Sequence, residues 1–225
     1  RASRTVRVGT RTIGGNSPIT VQSMTNTDTA DGAATLRAVR ALEAAGADIV
    51  RLAVPDVAAA ATFSYLKEAG VRVPLVADIH FDYRIALAAV AAGADKIRIN
   101  PGNIGDRDHV LAVVRACRAA GVPIRIGVNS GSLEKHILAR YGAPVAEALA
   151  ESALYHARLL EEMDFYDTVL SVKASSVPMM IAANRILAER TDYPLHLGVT
   201  EAGSAHMGSI KSAVGIGTCL AEGIG

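Results

Sequence analysis

The feature that most constrains the fold of this chain is a near-repeat of seven residues, AGADIVR at 45–51 and AGADKIR at 92–98. In both copies an Ala-Gly pair ends a helical pattern, and an apolar strand pattern follows it. The pairs at 69–70 and 120–121 stand in the same context, so the unit recurs with a period of about 25 residues. Repeated strand–helix units with short connections predict an α/β fold with parallel strands.

Seven strands of this kind are predicted, preceded by a short hairpin at 5–8 and 12–13. The predicted strands are 19–24, 47–54, a third opening at Pro74, a fourth ending at Asn100, 124–130, 168–174 and 195–200. No G-x-G-x-x-G follows the first strand, which favours a (β/α)8 TIM barrel over a doubly wound sheet. The sequence ends where an eighth strand should begin, so we expect the barrel to be truncated before or at that strand.

Composition narrows the class of protein. Of the 225 residues 50% are hydrophobic but only 4% are aromatic, so aliphatic side chains must fill the core. The net charge of +1 gives no bulk attraction to nucleic acid or to a membrane surface. No apolar run reaches the ~18 residues of a membrane span, and no signal peptide opens the sequence. These features predict a cytoplasmic domain, and the distant cysteines Cys117 and Cys219 predict neither a disulfide framework nor a metal cage.

Polar residues stand at the carboxyl ends of the predicted strands, where barrel active sites lie. They are Arg51, Asp78, His80, Arg98, Asn100, Arg125, Asn129, Lys173, Ser175 and Glu201. Charge is costly to bury in a parallel strand, so these residues indicate a ligand-binding mouth. Guanidinium groups bind phosphate oxygens bidentately, and three arginines around one mouth suggest a diphosphate ligand.

Several of these residues have alternative interpretations. An arginine could pair with Asp78 or Glu201 only to close the barrel. The Asp78-x-His80 pair could begin a metal site, but no third ligand stands nearby, so hydrogen bonding to substrate is favoured. Lys173 could form a Schiff base, as in barrel aldolases, or contact a phosphate. Glu201 could act as a general acid or base, or form a salt bridge to Lys173 or an arginine.

A family resemblance rests on motifs spread along the chain. They are VQSMTNT (21–27), PLVADIHFDYRIAL (74–87), RINPGNIG (98–105), IRIGVNSGSLEK (124–135), SVKAS (171–175), PLHLGVTEAG (194–203) and the closing EGIG. Together they resemble 4-hydroxy-3-methylbut-2-enyl diphosphate synthase, an oxidoreductase of isoprenoid biosynthesis by the methylerythritol phosphate pathway. RINPGNIG and HLGVTEAG are the most specific. The resemblance implies that residues 1–225 form the TIM-barrel substrate-binding domain of such an enzyme.

The resemblance also implies a reaction and roles for the mouth residues. The family reduces 2-C-methyl-D-erythritol 2,4-cyclodiphosphate by two electrons, opening its ring with loss of water. The implied diphosphate contacts are Arg51, Arg98, Arg125 and Lys173. The implied residues lining the rest of the site are Asp78, His80, Asn100, Asn129 and Ser175. Glu201 is implied as the catalytic carboxylate that protonates the departing water.

The family's cofactor and partners are implied in the same way. Its members continue into a C-terminal domain that holds a 4Fe-4S cluster on three cysteines and a glutamate, and none of these ligands is in this chain. The implied electron donor is flavodoxin or ferredoxin, and the implied assembly is a homodimer. We therefore expect this chain to bind the cyclic diphosphate without reducing it. Rival predictions are a Schiff-base aldolase or lyase using Lys173 and a dihydropteroate-synthase-like pterin-binding barrel.

Overall fold

The computed structural model describes the backbone of residues 1–225 and every side chain except that of Ser132. In this described chain six parallel strands form one sheet in sequence order, as repeated strand–helix–strand units require. The strands of the chain are β1 (Val6–Val8), β2 (Arg11–Ile13), β3 (Gln22–Met24), β4 (Ile49–Ala53), β5 (Leu75–Asp78), β6 (Lys96–Ile99), β7 (Ile124–Asn129) and β8 (Thr168–Lys173). The parallel sheet is β3 to β8, and the predicted α/β barrel architecture is confirmed.

Helices follow the strands of the sheet and cover its outer face. They are α1 (Gly32–Ala44), α2 (Val57–Ala60), α3 (Thr62–Glu68), α4 (Tyr83–Ala91), α5 (Arg107–Ala120), α6 (Lys135–Tyr141), α7 (Ala146–Glu161), α8 (Val177–Arg190) and α9 (Ala205–Ala221). The segment 56–70 is divided at Ala61 into α2 and α3. No helix in the described chain combines the length and apolar character needed to cross a bilayer.

Helix ends explain why the repeat is visible in the sequence. Aspartate side chains cap the amino ends of α2 and α5: Asp56 accepts from the amide of Ala59, and Asp106 from that of His109. The glycines of the four Ala-Gly pairs adopt φ values of +95°, +80°, +94° and +64°, which side chains disfavour. Each repeat therefore carries its own start and stop signals.

The predicted hairpin forms, with β1 and β2 antiparallel. Its Val8 packs against Ile49 on β4 and Val76 on β5, and all three side chains are buried. Ile49 opens β4 and Val76 lies near the start of β5, so the hairpin covers the amino-terminal end of the sheet. We call the cluster of Val8, Ile49 and Val76 the apolar floor. The polar side chains of β4 and β5 lie further toward the carboxyl ends of these strands.

The two outer members of the sheet are shorter than predicted. Regular pairing of the first strand is confined to Gln22–Met24, and Ile19 and Val21 are exposed. The predicted strand 195–200 is wrong as a regular strand: the described residues there form two isolated parallel bridges, Leu170 to Leu195 and Ala174 to Val199. Gly198 lies between the bridges, where it brings no side chain to stabilise an extended edge.

Candidate functional site

A row of charged residues crosses three neighbouring strands. The strand register places Asp78 on β5 beside Arg98 on β6, and Arg98 beside Arg125 on β7. Arg98 Nη1 donates to Asp78 Oδ1 at 3.0 Å, and its Nη2 donates to the carbonyl of Gly127 at 3.4 Å. Asp78, Arg98 and Arg125 are all buried. The pairing of Arg98 with Asp78 shows that part of the site's charge is balanced internally.

Arg51 and His80 approach the same carboxylate from either side. Arg51 Nε lies 3.5 Å from Asp78 Oδ2, and His80 Nε2 lies 3.8 Å from that oxygen. The guanidinium of Arg51 also contacts the sulfur of Met24, at 2.8 Å from Nη2. One carboxylate thus lies within 4 Å of two guanidinium groups and an imidazole ring.

Buried nitrogen donors without a protein partner mark where a ligand would bind. Among the described side chains, Nε and Nη1 of Arg125, Nε of Arg98 and Nδ2 of Asn100 have no hydrogen-bond partner. Arg125 is only 1% exposed. Leaving such donors unsatisfied costs about 1–3 kcal/mol each, more when they are charged, so a ligand that accepts from them gains this energy. The acceptor best matched to guanidinium donors is an oxyanion such as phosphate.

The cations of the barrel interior outnumber its anions. We call the following five side chains the interior cations: Arg51, Lys96, Arg98, Arg125 and Lys173. Asp78 is the one carboxylate in the described chain whose charge is found to act on Arg125 and Lys173. Arg51 on β4 and Lys173 on β8 interact although three strands separate them, so the sheet curls and directs these side chains toward one interior. This imbalance favours an anionic ligand.

Burial and mutual repulsion lower the pKa values of this set. Burial first, and then the charges of Arg51 and Arg98, lower the pKa of Arg125 to about 9, which leaves it charged at pH 7. Burial and the charges of Arg125, Arg51 and Arg98 lower the pKa of Lys173 to about 7. Burial also lowers the pKa of His196 well below its usual value, with Arg125 and Lys173 adding to the effect. A bound anion would oppose every one of these shifts.

Two glycines make room for the long cationic side chains. A Cβ on Gly127 would lie 2.3 Å from Arg98 Nε, and one on Gly198 would lie 2.8 Å from Lys173 Cε. Such contacts are too close for real atoms, so Arg98 and Lys173 occupy space that a side chain would fill. Gly127 on β7 and Gly198 in segment 195–200 thus serve the same purpose: each leaves the space that a long cationic side chain occupies.

We expect Gly127→Ala to weaken binding of inorganic pyrophosphate by about tenfold or more, because it displaces Arg98 from Asp78. Calorimetric titration of the variant measures the loss, and circular dichroism checks its fold. Gly217→Ala in α9 is the matched control, since a Cβ there meets nothing within 4 Å. Equal affinities of the two variants would show that the position of Arg98 does not determine anion binding.

The remaining predicted residues lie at the open end of the interior. Asn129, the last residue of β7, is partly buried, whereas Ser175 and Glu201 are exposed. Glu201 adopts φ +49°, a left-handed conformation that few residues other than glycine take up. It forms no ion pair in the described chain, so the predicted alternative of a salt bridge to Lys173 or an arginine is absent. Its carboxylate is therefore not neutralised by the interior cations.

Three functional candidates were missed by the sequence analysis. Lys96 and His196 belong to the interior, and His156 supports the loop after β6 from behind. His156 is fully buried, its Nε2 lies 2.5 Å from Glu134 Oε1, and a Cβ on Gly102 would lie 3.0 Å from its Cε1. Burial raises the pKa of Glu134, but the hydrogen bonds to His156 and Ser152 and the charge of His156 together outweigh it and leave that pKa lowered. This pair fixes the loop that carries Asn100, whose Oδ1 accepts from the amide of Gly102.

The donor set of the described chain does not fit a 4Fe-4S cluster. Its two cysteines, Cys117 and Cys219, are both buried, and burial raises the pKa of the Cys117 thiol to about 12. A cluster needs thiolates, which such burial disfavours. The described residues also include no group of three or more His, Cys, Asp or Glu side chains placed to hold a metal ion. The predicted Asp78-x-His80 metal alternative therefore gains no support.

The fold and the site together define an α/β barrel domain whose interior carries a surplus of buried cations. The chain belongs to the GcpE TIM-barrel domain family, whose sequence profile matches residues 3–225. It is 60% identical over 225 residues to 4-hydroxy-3-methylbut-2-en-1-yl diphosphate synthase (flavodoxin) of Symbiobacterium thermophilum, covering 100% of this chain and 60% of that protein. The protein of the same name from Clostridium perfringens is 56% identical, with 100% and 64% covered. The chain thus spans less than two thirds of the length of these curated relatives.

A comparison with solved structures supports the fold alone. Dihydropteroate synthase of Thermus thermophilus aligns with a TM-score of 0.67 and 15% identity, covering 98% of this chain and 90% of that one. Deoxyribose phosphate aldolase of Aeropyrum pernix aligns with a TM-score of 0.56 and 12% identity, covering 88% and 80%. The first belongs to the dihydropteroate-synthase class and the second to the aldolase class, which are the two rival predictions. Sequence identity this low carries no inference about ligand or reaction. The family match favours neither rival.

Proposed function

We propose that residues 1–225 are the substrate-binding barrel domain for the 4-hydroxy-3-methylbut-2-en-1-yl diphosphate synthase reaction. The single observation that carries the proposal is the buried guanidinium of Arg125, whose unsatisfied Nε and Nη1 face an interior with a surplus of cations. The family resemblance implies the identity of the anion, 2-C-methyl-D-erythritol 2,4-cyclodiphosphate, and the relatives' names give a diphosphate as the product. A cyclic diphosphate offers the oxyanions that this set of donors requires.

The geometry supports a division of roles among the site residues. Arg51, Arg98, Arg125 and Lys173 bind the diphosphate. Asp78 orients Arg98 and Arg51 through its two oxygens, and Asn100 offers its free Nδ2. His80, Asn129 and Ser175 line the open end of the site. The substrate and product names imply that the ester at O2 breaks, so the phosphate gains an ionised oxygen as the ring opens, and the interior cations stabilise that developing charge.

Glu201 is the proposed acid of the reaction. Two electrons from the donor form the new carbon–carbon double bond as the ester oxygen and the neighbouring hydroxyl leave. The hydroxyl needs one proton to depart as water, and Glu201 is the exposed carboxylate nearest along the chain to the mouth segment that carries Gly198. Its strained φ of +49° holds it at one place on the rim of the barrel. In this proposal the chain binds the substrate and supplies the proton; the electrons would come from a 4Fe-4S cluster, whose ligands the described residues do not provide.

The electron donor, flavodoxin or ferredoxin, belongs to the same proposal, as do a homodimeric assembly and a cytoplasmic location. The relatives' names include flavodoxin, which supports the first of these. We propose no metal site within this chain, because its described residues do not supply the ligands.

Parallel titrations distinguish the proposal from its rivals. We expect the cyclic diphosphate to bind one-to-one and a pterin not to bind. Borohydride treatment with phosphosugars should add no mass at Lys173, because the proposal gives this amine a phosphate rather than a carbonyl to contact. Pterin binding would favour the dihydropteroate-type barrel, and covalent mass at Lys173 would favour the aldolase.

We expect no reduction of the cyclic diphosphate by this chain after anaerobic reconstitution with iron and sulfide and addition of dithionite. The reason is that its two thiols are buried and separate, so a cluster cannot assemble on them. Product formation followed by ³¹P NMR measures the outcome. Measurable turnover would show that the chain holds a redox centre of its own.

A further inference from the structure

Lys96 lies inside the barrel, below the residues already assigned to the site. It precedes Arg98 by two positions on β6, and alternate residues of a strand point to the same face. Its register partner is Val76, which in turn lies beside Arg51 on β4. Lys96 is 1% exposed, between the apolar floor around Val76 and the arginines above.

The surroundings of Lys96 provide repulsion without a matching carboxylate. Its charge interacts unfavourably with those of Arg125 and Arg51. The charged or titratable groups on the surrounding interior elements are Arg51 on β4, Asp78 on β5, Arg98 on β6 itself, Arg125 on β7, Lys173 on β8 and His196 in segment 195–199. Asp78 is already bound by Arg98 and Arg51. A buried ammonium in this position has a high energy until a further negative charge arrives.

We propose that Lys96 is the proton-accepting member of the anion site: near neutral pH it is only partly charged in the free protein, and it takes up further protons when an anion binds to Arg51, Arg98 and Arg125. The inference deepens the proposed function and rests on it only for the identity of the natural ligand. Lys96 does not need to touch the anion. It acts by adding a positive charge beneath it.

The titration range of this residue supports the proposal. Burial, followed by the charges of Arg125 and Arg51, lowers the pKa of Lys96 to about 7. A negative charge on Arg125 and Arg51 offsets their repulsion and raises that pKa again. Near neutral pH the charged fraction of the lysine therefore increases as the site fills. By linkage, binding weakens as pH rises above 7, because more protons must then be supplied from solution.

Calorimetry with inorganic pyrophosphate tests the proposal without relying on the natural ligand. Titrations at pH 7.5 in buffers of different ionisation enthalpy give the number of protons taken up per bound anion. We expect uptake by the wild type, and a reduction by about half in Lys96→Met and Lys96→Arg, with Lys173 accounting for the rest. Protons gained or lost by pyrophosphate itself are common to all the proteins and cancel in the comparison.

The two variants separate a proton-accepting role from a structural one. Lys96→Met should bind about three- to tenfold more weakly, because it removes the charge. Lys96→Arg should bind at least as tightly as the wild type yet take up fewer protons, since its guanidinium is charged in both states. Lys135→Met, at an exposed lysine of α6, is the control and should match the wild type. If Lys96→Met does not fold, Lys96→Arg decides alone.

The contrary outcomes are distinct from failure of the proposed function. Wild-type proton uptake in both Lys96 variants would overturn the inference while leaving the proposed substrate intact. Absence of pyrophosphate binding to the wild type would also overturn it. Lys96-dependent uptake with pyrophosphate, but no binding of the cyclic diphosphate, would refute the proposed function and leave the inference standing.

Discussion

Arg125→Met is expected to lower the affinity for pyrophosphate by about 100-fold or more while raising the stability of the free protein. The first effect follows because Nε and Nη1 of Arg125 are buried donors with no partner among the described side chains. Two charge-assisted hydrogen bonds to phosphate oxygens are worth about 3 kcal/mol or more together. Calorimetric titration measures the loss of affinity.

The expected rise in stability of the free protein has the same cause as the loss of affinity, namely the burial of the Arg125 guanidinium without enough partners. In the free protein Arg125 is 1% exposed, and Asp78, the carboxylate whose charge acts on it, is bound by Arg98. Replacing such a buried charge by an apolar side chain of similar length stabilises a fold by on the order of 1–3 kcal/mol. Urea unfolding without ligand measures it, with Arg37→Met, at an exposed arginine of α1, as control. Loss of stability without loss of affinity would mean that Arg125 is a structural residue.

Lys96→Met is expected to raise stability near pH 7 and to flatten its dependence on pH. The folded-state pKa of Lys96 is about 7 against its ordinary value of 10.5, so between these values the unfolded chain binds more protons than the folded one. Stability of the wild type therefore rises with pH across this window, and the full penalty applies below pH 7. For one group this penalty is on the order of 3–5 kcal/mol.

Urea unfolding at pH 6, 7.5 and 9 measures this dependence in the absence of anions. Lys173 and His196 have pKa values shifted in the same direction, so the variant should keep part of the slope. Lys135→Met should keep all of it. A variant less stable than the wild type at pH 6 would show that the ammonium of Lys96 is stabilised by contacts rather than penalised by burial.

Three charged residues of the interior were predictable from the sequence because charge conflicts with burial in a strand, although Arg125 lies at the second position of β7 and not at its predicted carboxyl end. Asp78, Arg98 and Arg125 interrupt apolar strands, and a buried parallel strand has no reason to carry charge unless a ligand or a partner meets it. The same reasoning did not predict Lys96 as an interior residue. It opens its strand, where a lysine can be interpreted as part of a solvent-exposed turn, and only the period of two from Arg98 pointed inward.

Other features required contacts that no local pattern encodes. The pairing of His156 with Glu134 joins residues on α7 and on the loop before α6, 22 positions apart. The last strand segment was predicted from its apolar residues, but its hydrogen bonding depends on neighbours on both sides, and the structure shows isolated bridges. Edge pairing is set by tertiary context more than by propensity.

The most direct test of the central claim is a crystal structure of this chain with 2-C-methyl-D-erythritol 2,4-cyclodiphosphate. We predict phosphate oxygens within hydrogen-bonding distance of Nε and Nη1 of Arg125 and of Nε of Arg98, inside the curled sheet. Glu201 should lie on the side of the sugar hydroxyls. A diphosphate bound elsewhere on the chain, with these arginine nitrogens still unsatisfied, would contradict the account.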